Sequence, residues 1–188
     1  PADLPGAGDL RPILSLKTQI VFLKDVPQGT PVGYDSTWRA PHTTRVATIP
    51  VGYNDGVPWR LSNHGAVLVR GQRARIVGRV SMDYTTIDVG HIPNVHVGDE
   101  VTLIGTQGHE TISVEEVAAK VGTISYEITC SVGKRVQRRY VGGETIVLPS
   151  QGAPFTAWPH RLPRMPSVNL DAEPAERELD LDPPHGRS

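Results

Sequence analysis

Seven histidines, one cysteine and a run of arginines are the side chains of this 188-residue sequence that first invite chemistry. A metal centre needs ligands at close spacing. His42, His64, His91, His96, His109, His160 and His185 are dispersed, no pair has ligand spacing on a helix, and Cys130 has no cysteine partner, so no metal set is expected. A serine or cysteine nucleophile would be advertised by a nucleophile elbow, and no such motif appears. Gly71 and Gly78 flank a basic strand segment, not the phosphate-cradling opening of a helix. Arg70, Arg73, Arg75 and Arg79 form the densest basic patch, and the balanced overall charge makes them alternate arginines on a solvated strand face. Two short segments remain. Tyr53 lies in Val51-Gly52-Tyr53-Asn54-Asp55-Gly56, which reads as a strand ending in a turn with the tyrosine at an amphipathic edge. Met82 lies in Ser81-Met82-Asp83-Tyr84, where a thioether would ordinarily fill a core.

The elements that must position these residues are mostly short strands. Runs at 16–24, 45–50, 66–70, 75–77, 84–89, 100–104 and 145–148 are rich in Val, Ile and Thr and often alternate in polarity. Turn residues separate them, at Pro27-Gln28-Gly29, Asn54-Asp55-Gly56, Asn63-His64-Gly65 and Val97-Gly98-Asp99. Closely spaced strands of this kind predict a mainly β fold, a barrel or sandwich. One short helix is predicted near 113–121. Ser113 and Glu116 have capping-box spacing, Gly122 can end the helix, and Val114, Val117, Ala118 and Val121 share one face.

The ends differ in kind. Residues 1–10 hold Pro1, Gly6 and Gly8, no initiating Met and no signal-peptide pattern, as expected of a linker end in a longer polypeptide. Residues 150–188 are interrupted by prolines and turn acidic from Asp171, which predicts a flexible tail after a β domain spanning 11–149. With 38% hydrophobic residues the domain can bury a core. A net charge of -1 offers no footprint for nucleic acid or an anionic membrane, and no stretch has the length of a membrane span. A lone cysteine fits a reducing compartment, and a cytoplasmic location is expected.

Five segments, taken in order, resemble the C-terminal domain of alanine racemases: 10–20 (LRPILSLKTQI), 43–56 (TTRVATIPVGYNDG), 77–83 (VGRVSMD), 97–105 (VGDEVTLIG) and 122–127 (GTISYE). Each is weak alone, and their shared order is specific. The resemblance covers about 11–141 and implies that family's β-barrel, though only one of its two domains.

What the resemblance implies is interconversion of L-alanine and D-alanine with pyridoxal 5'-phosphate, a reaction that supplies D-alanine for peptidoglycan. Removing an α-proton from one face and returning it on the other requires two bases. In the family one is the lysine that carries the cofactor, and the other is the tyrosine of Gly-Tyr-x-Asp-Gly, here Tyr53. A free phenol titrates near ~10, so it needs cationic neighbours and shelter from water to exchange protons at neutral pH. Met82 falls where the backbone helps bind the substrate carboxylate, with Asp83 shaping that loop, and Tyr126 falls where a tyrosine contacts the cofactor phosphate. Lys17, Lys24, Lys120 and Lys134 do not match the cofactor-lysine motif, which would lie on a barrel domain outside this chain. The family's head-to-tail homodimer would lend Tyr53 and Met82 to the partner's site and keep Tyr126 in its own. The isolated chain is then expected to be inactive. A non-catalytic β-barrel binding module is the alternative. A nucleic-acid-binding barrel is opposed by 5% aromatics and the balanced charge.

Overall fold

Residues 16–24 read as one strand, and the computed structural model, which describes residues 12–140, has two strands there. The strands are β1 (Leu16–Gln19), β2 (Phe22–Val26), β3 (Pro31–Val32), β4 (Trp38–Arg39), β5 (Thr44–Ile49), β6 (Ala66–Val69), β7 (Gln72–Ile76), β8 (Thr85–Asp88), β9 (Glu100–Gln107) and β10 (Glu110–Ile112). Two helices follow, α1 (Val114–Val121) and α2 (Ser125–Cys130). The run expected at 145–148, the linker end 1–10 and the tail 150–188 lie outside the described residues.

Strand order explains the division. The main sheet runs β1-β9-β6-β7-β8-β5-β2, with β10 added to β9, and its ladders are antiparallel. Its two ends, β1 and β2, are halves of one chain segment. At the join Ile20 donates its N–H to Asp99 O at 3.0 Å, while the next residue, Val21, donates to Thr48 O at 2.9 Å. Successive amides of an extended chain point to opposite sides, so the segment is bonded toward β9 first and toward β5 next. The curled sheet is thereby joined end to end by its own backbone, which gives it a barrel-like form.

One buried cluster fills the sheet, with Ile20, Ile49, Leu68, Ile76, Ile87 and Val101 at its centre. A smaller cluster of Val26, Ala40, Val46 and Val77 lies under the β3–β4 hairpin with Val32 and Trp38. This second layer makes β5 buried at Thr44, Val46, Ala47 and Ile49 rather than strictly at every other residue. The β6–β7 connection has two residues, Arg70 and Gly71, with φ of 51° and 73°. Positive φ at both positions is the hairpin turn that matches strand twist. Arg70 therefore sits in a turn, 3.6 Å from Asp99, and not on the strand face expected of it.

Helix α1 forms where its capping residues predict, with Ser113 Oγ accepting from Glu116 N at 3.1 Å and Gly122 closing the end at φ 75°. The reciprocal half of the expected box is replaced. The Glu116 carboxylate takes two bonds from Arg73, at 2.7 and 3.0 Å, and Arg73 also reaches Glu110 and Thr111 O. That arginine ties β7 to β10 and α1, so the basic patch is partly structural. The sequence predicts one helix, and the described residues hold two α-helices. α2 is six residues long and its N-cap, Ile124, offers no side-chain acceptor, which removes the signal by which α1 is recognised.

Candidate active site

Pro50 follows β5 and, lacking an N–H, ends its ladder. The buried Val51 is held through its carbonyl, which accepts from Thr85 Oγ1 on β8 at 2.7 Å. Gly52 then bonds twice with Asp55. Its N–H donates to Asp55 Oδ2 at 3.0 Å and its carbonyl accepts from Asp55 N at 3.0 Å. The result is a single 3-10 turn, Tyr53–Asp55, closed by Gly56 at φ 103°. Gly52 and Asp55 are buried, whereas Tyr53 between them is 47% exposed. The backbone is fixed and the phenol faces outward.

A second loop docks on this turn. Ser81 folds residues 81–84 on themselves: its hydroxyl donates to Tyr84 O at 2.9 Å and accepts from Tyr84 N at 3.0 Å. The turn donates to the loop through Tyr53 N to Ser81 O at 3.0 Å and Asn54 N to Met82 O at 3.2 Å. Gly52 permits the approach, because a Cβ there would stand 2.2 Å from Ser81 O and 2.4 Å from Met82 O. Tyr53 and Met82, 29 positions apart in sequence (82 minus 53), are thus joined through backbone. Met82 is 52% exposed and does not fill the core. Its carbonyl is used in the docking contact, and no acceptor among the described residues takes its N–H.

Arg135 closes the arrangement from behind. Its Nε donates to Asp55 Oδ1 at 2.6 Å, and its Nη2 donates to Asp55 Oδ2 at 2.9 Å and Asp83 Oδ1 at 2.6 Å. The Asp55 side chain is 8% exposed. Arg135's bond holds its carboxyl below the ordinary value of 3.8, helped by the Gly52 amide and opposed by burial. The same pairing raises Arg135 above the usual arginine range, so both partners stay charged. Sequence reasoning missed Arg135, which lies 80 positions from Asp55 with no local pattern joining them.

Around Tyr53 and Met82 opens a cleft of about 660 Å³ rimmed by Tyr34, Asp35, Trp59, Arg79 and Tyr84. Arg79 lies 4.8 Å above the Trp59 ring centroid and 3.4 Å from Asp35. Tyr34, Trp59 and Tyr84 are at least half exposed, which makes the rim an aromatic surface carrying one arginine and one aspartate, with aromatic residues and arginine the types enriched at interfaces. Trp59 and Tyr34 carried no motif and were not singled out from sequence.

Tyr126 lies elsewhere. It projects from the first turn of α2 beside a hollow of about 760 Å³ formed with Pro12, Ile13, Leu14, Ser15 and β10 residues. That hollow shares no lining residue with the Tyr53 cleft. The structure therefore brings two of the three expected site residues together and separates the third. Its hydroxyls, on Ser15, Ser125 and Tyr126 among others, could donate to a phosphate, but Ser125 donates to the Glu115 carboxylate, which also lines the hollow, and no cation is among its described lining residues. Among the described residues no group of three or more His, Cys, Asp or Glu could hold a metal ion, and no helix is long and apolar enough to cross a membrane.

Residues 13–140 match the profile of the alanine racemase C-terminal domain. An alanine racemase of Halothermothrix orenii is 52% identical over 144 residues, which take in 75% of this chain and 38% of that protein. The crystal structure of alanine racemase from Bacillus anthracis with bound L-Ala-P superposes with a TM-score of 0.68 at 42% identity, over 74% of this chain and 35% of that one. Alanine racemase from Bartonella henselae, solved with covalently bound pyridoxal phosphate, gives a TM-score of 0.63 at 36% identity, over 68% of this chain and 34% of that one. The chain thus spans less than two-fifths of the length of the relatives it matches. With its curled antiparallel sheet, two helices and the Tyr53–Met82 junction, this chain belongs to the alanine racemase family, in the part of it that forms the C-terminal domain.

Proposed function

We propose that this chain is the C-terminal part of a pyridoxal-phosphate-dependent alanine racemase that interconverts L-alanine and D-alanine, and that Tyr53 is its acid/base group. The observation that carries this reading is the contrast at Tyr53: a backbone bonded on both sides and a side chain half exposed. A phenol on a fixed backbone has only its two side-chain torsions left to set before it meets a substrate. The N–H of Met82, for which no acceptor is found among the described residues, would hydrogen-bond a substrate carboxylate near that phenol.

Pyridoxal phosphate, when bound, supplies the electron sink that makes an amino acid's α-C–H acidic. Tyr126, with the neighbouring hydroxyls, would donate to its phosphate. The cofactor-binding lysine, which is also the base on the face opposite Tyr53, would come from a racemase barrel domain. Tyr53 and Met82 line one hollow and Tyr126 another, which supports a head-to-tail homodimer in which this domain serves two sites, completing the partner's with Tyr53 and Met82. On this reading the domain spans 11–149, with 1–10 and 150–188 outside it. The enzyme would be cytoplasmic and provide D-alanine for peptidoglycan.

The test joins this chain to the barrel domain of the Halothermothrix orenii relative and adds pyridoxal phosphate and L-alanine. D-alanine should form, and Tyr53→Phe should cut the rate by about 10²–10⁴-fold, the usual worth of a positioned acid/base group. The isolated chain should form none. A Tyr53→Phe variant that stays within a few-fold of the parent would favour the non-catalytic β-barrel binding module instead.

A further inference from the structure

The Tyr53 turn follows β5 and the Met82 loop precedes β8, so no element of secondary structure contains both. Their relative position rests on two amide bonds, the close backbone approach at Gly52 and one guanidinium. Arg135 contacts the carboxylate of each segment. Its fork on Asp55 fixes direction as well as distance, and the remaining bond goes to Asp83, next to Met82. The strand of chain that carries it, residues 131–138, is itself held. Arg138 donates to the carbonyls of Val132, Gly133 and Val136, at 3.0 to 3.2 Å. Gly133 lies against the turn so closely that a Cβ would stand 2.3 Å from Asn54 O. The guanidinium is therefore presented from a braced segment.

The Arg135 and Asp83 side chains are 48% and 46% exposed. An ion pair that open to water adds little to folding stability. Its geometric effect is larger, because it links two loops that each carry one polar group of the proposed site. From this geometry we propose that Arg135 is a positioning residue: through Asp55 and Asp83 it sets the register of the Tyr53 phenol against the Met82 loop. The inference rests on the racemase reading for its catalytic consequence and on structure alone for its conformational one.

Two measurements separate these. In the 188-residue chain, Asp83→Ala and Arg135→Lys should speed hydrogen exchange at the Tyr53 and Asn54 amides by about tenfold or more, and Asp83→Ala, which breaks only the exposed pair, should leave core amides such as Leu68 and the melting temperature unchanged. In the chain joined to the racemase barrel, the same variants should lower kcat by about 10–100-fold, with KM moving less, as expected of misplacement and not of lost binding. Unchanged exchange at Tyr53 and Asn54 overturns the proposal. So does faster exchange at every amide, which would make Arg135 a general stabiliser. If Tyr53→Phe silences the joined enzyme while Asp83→Ala and Arg135→Lys leave kcat within twofold, the positioning role is wrong and the racemase reading stands. If Tyr53→Phe has no effect, the racemase reading fails and the exchange data alone decide on positioning.

Discussion

Gly52→Ala puts a methyl group where the structure leaves no room. The new Cβ would lie 2.2 Å from Ser81 O, 2.4 Å from Met82 O and 2.5 Å from Met82 C, all of them backbone atoms that cannot rotate away. Bringing the nearest contact out to an ordinary separation of about 3.4 Å parts the turn from the loop by roughly 1 Å. The two docking bonds, now 3.0 and 3.2 Å, would then exceed hydrogen-bonding range. Each is worth about 1 kcal/mol, and overpacking adds about 1–3 kcal/mol. Alanine has no difficulty with the backbone itself, since φ of -144° and ψ of -161° are extended. It returns about 0.4–1 kcal/mol by restricting the unfolded chain. The net expectation is a loss of about 2–4 kcal/mol, or a melting temperature lower by roughly 5–12 °C for a domain of this size. Urea unfolding of the chain measures it, with Gly98→Ala as the comparison. Gly98 has φ of 93° and nothing within 4 Å of an added Cβ, so that substitution carries only the left-handed backbone cost of about 1–2 kcal/mol. If Gly52→Ala is no more destabilising than Gly98→Ala, the turn and loop are not in hard contact and the account of the Tyr53 platform is wrong.

Acid should loosen the same platform. Asp55 is held below its ordinary 3.8 by Arg135, so its contribution is present above that value and lost as pH falls through the lower, folded-state value. Stability should therefore decline below about pH 4, and Asp55→Asn should flatten that part of the profile; urea midpoints across the acid range that keep the parent slope would contradict it. Ser113→Ala should cost about 0.5–1 kcal/mol, at the lower end for an N-cap, because the Glu116 carboxylate is engaged by Arg73 and only the Glu116 amide loses its acceptor. A thermal midpoint equal to the parent's would show that the cap contributes nothing.

Local signals reached the fold where physics is local. β-branched runs and turn residues mark most strands, and Ser113 with Gly122 marks α1, because caps and turns are satisfied within a few residues. The closure of the sheet escapes such reading. Ile20 and Val21 look like neighbours in one strand, and only the positions of Asp99 and Thr48 decide that their amides serve opposite ends of the sheet. The second layer under β3–β4 likewise hides Val46, whose burial depends on Val32 and Trp38 of the hairpin and on Val77. At the site, Tyr53 and Met82 were legible through short motifs, not through propensity, which made one an edge residue and the other core filler. The structure gives the motifs a physical content: Gly52 is needed for close approach and Asp55 for a buried charge with a distant arginine. Arg135, Trp59 and Tyr34 meet the site only after folding, so nothing near them in sequence announces them.

On the proposed reading, the placement of Tyr53 bears on why a proton-transfer group would be built into a domain whose described residues supply only part of a site. Side-chain burial is the usual means of fixing a reactive group, and burial here is supplied to its flanks alone: Gly52 and Asp55 are inside, and the phenol is not. An open phenol loses its proton to water as readily as to a substrate, so rigidity without shelter does not suffice for catalysis. The surrounding rim of Tyr34, Trp59, Met82 and Tyr84 is apolar enough to be covered by another protein surface. Covering it would exclude water from Tyr53 in the same step that brings up the missing groups. On the proposed reading the two requirements are met together by assembly, and the Asp55–Arg135–Asp83 brace lets the domain arrive with its half of the geometry already set.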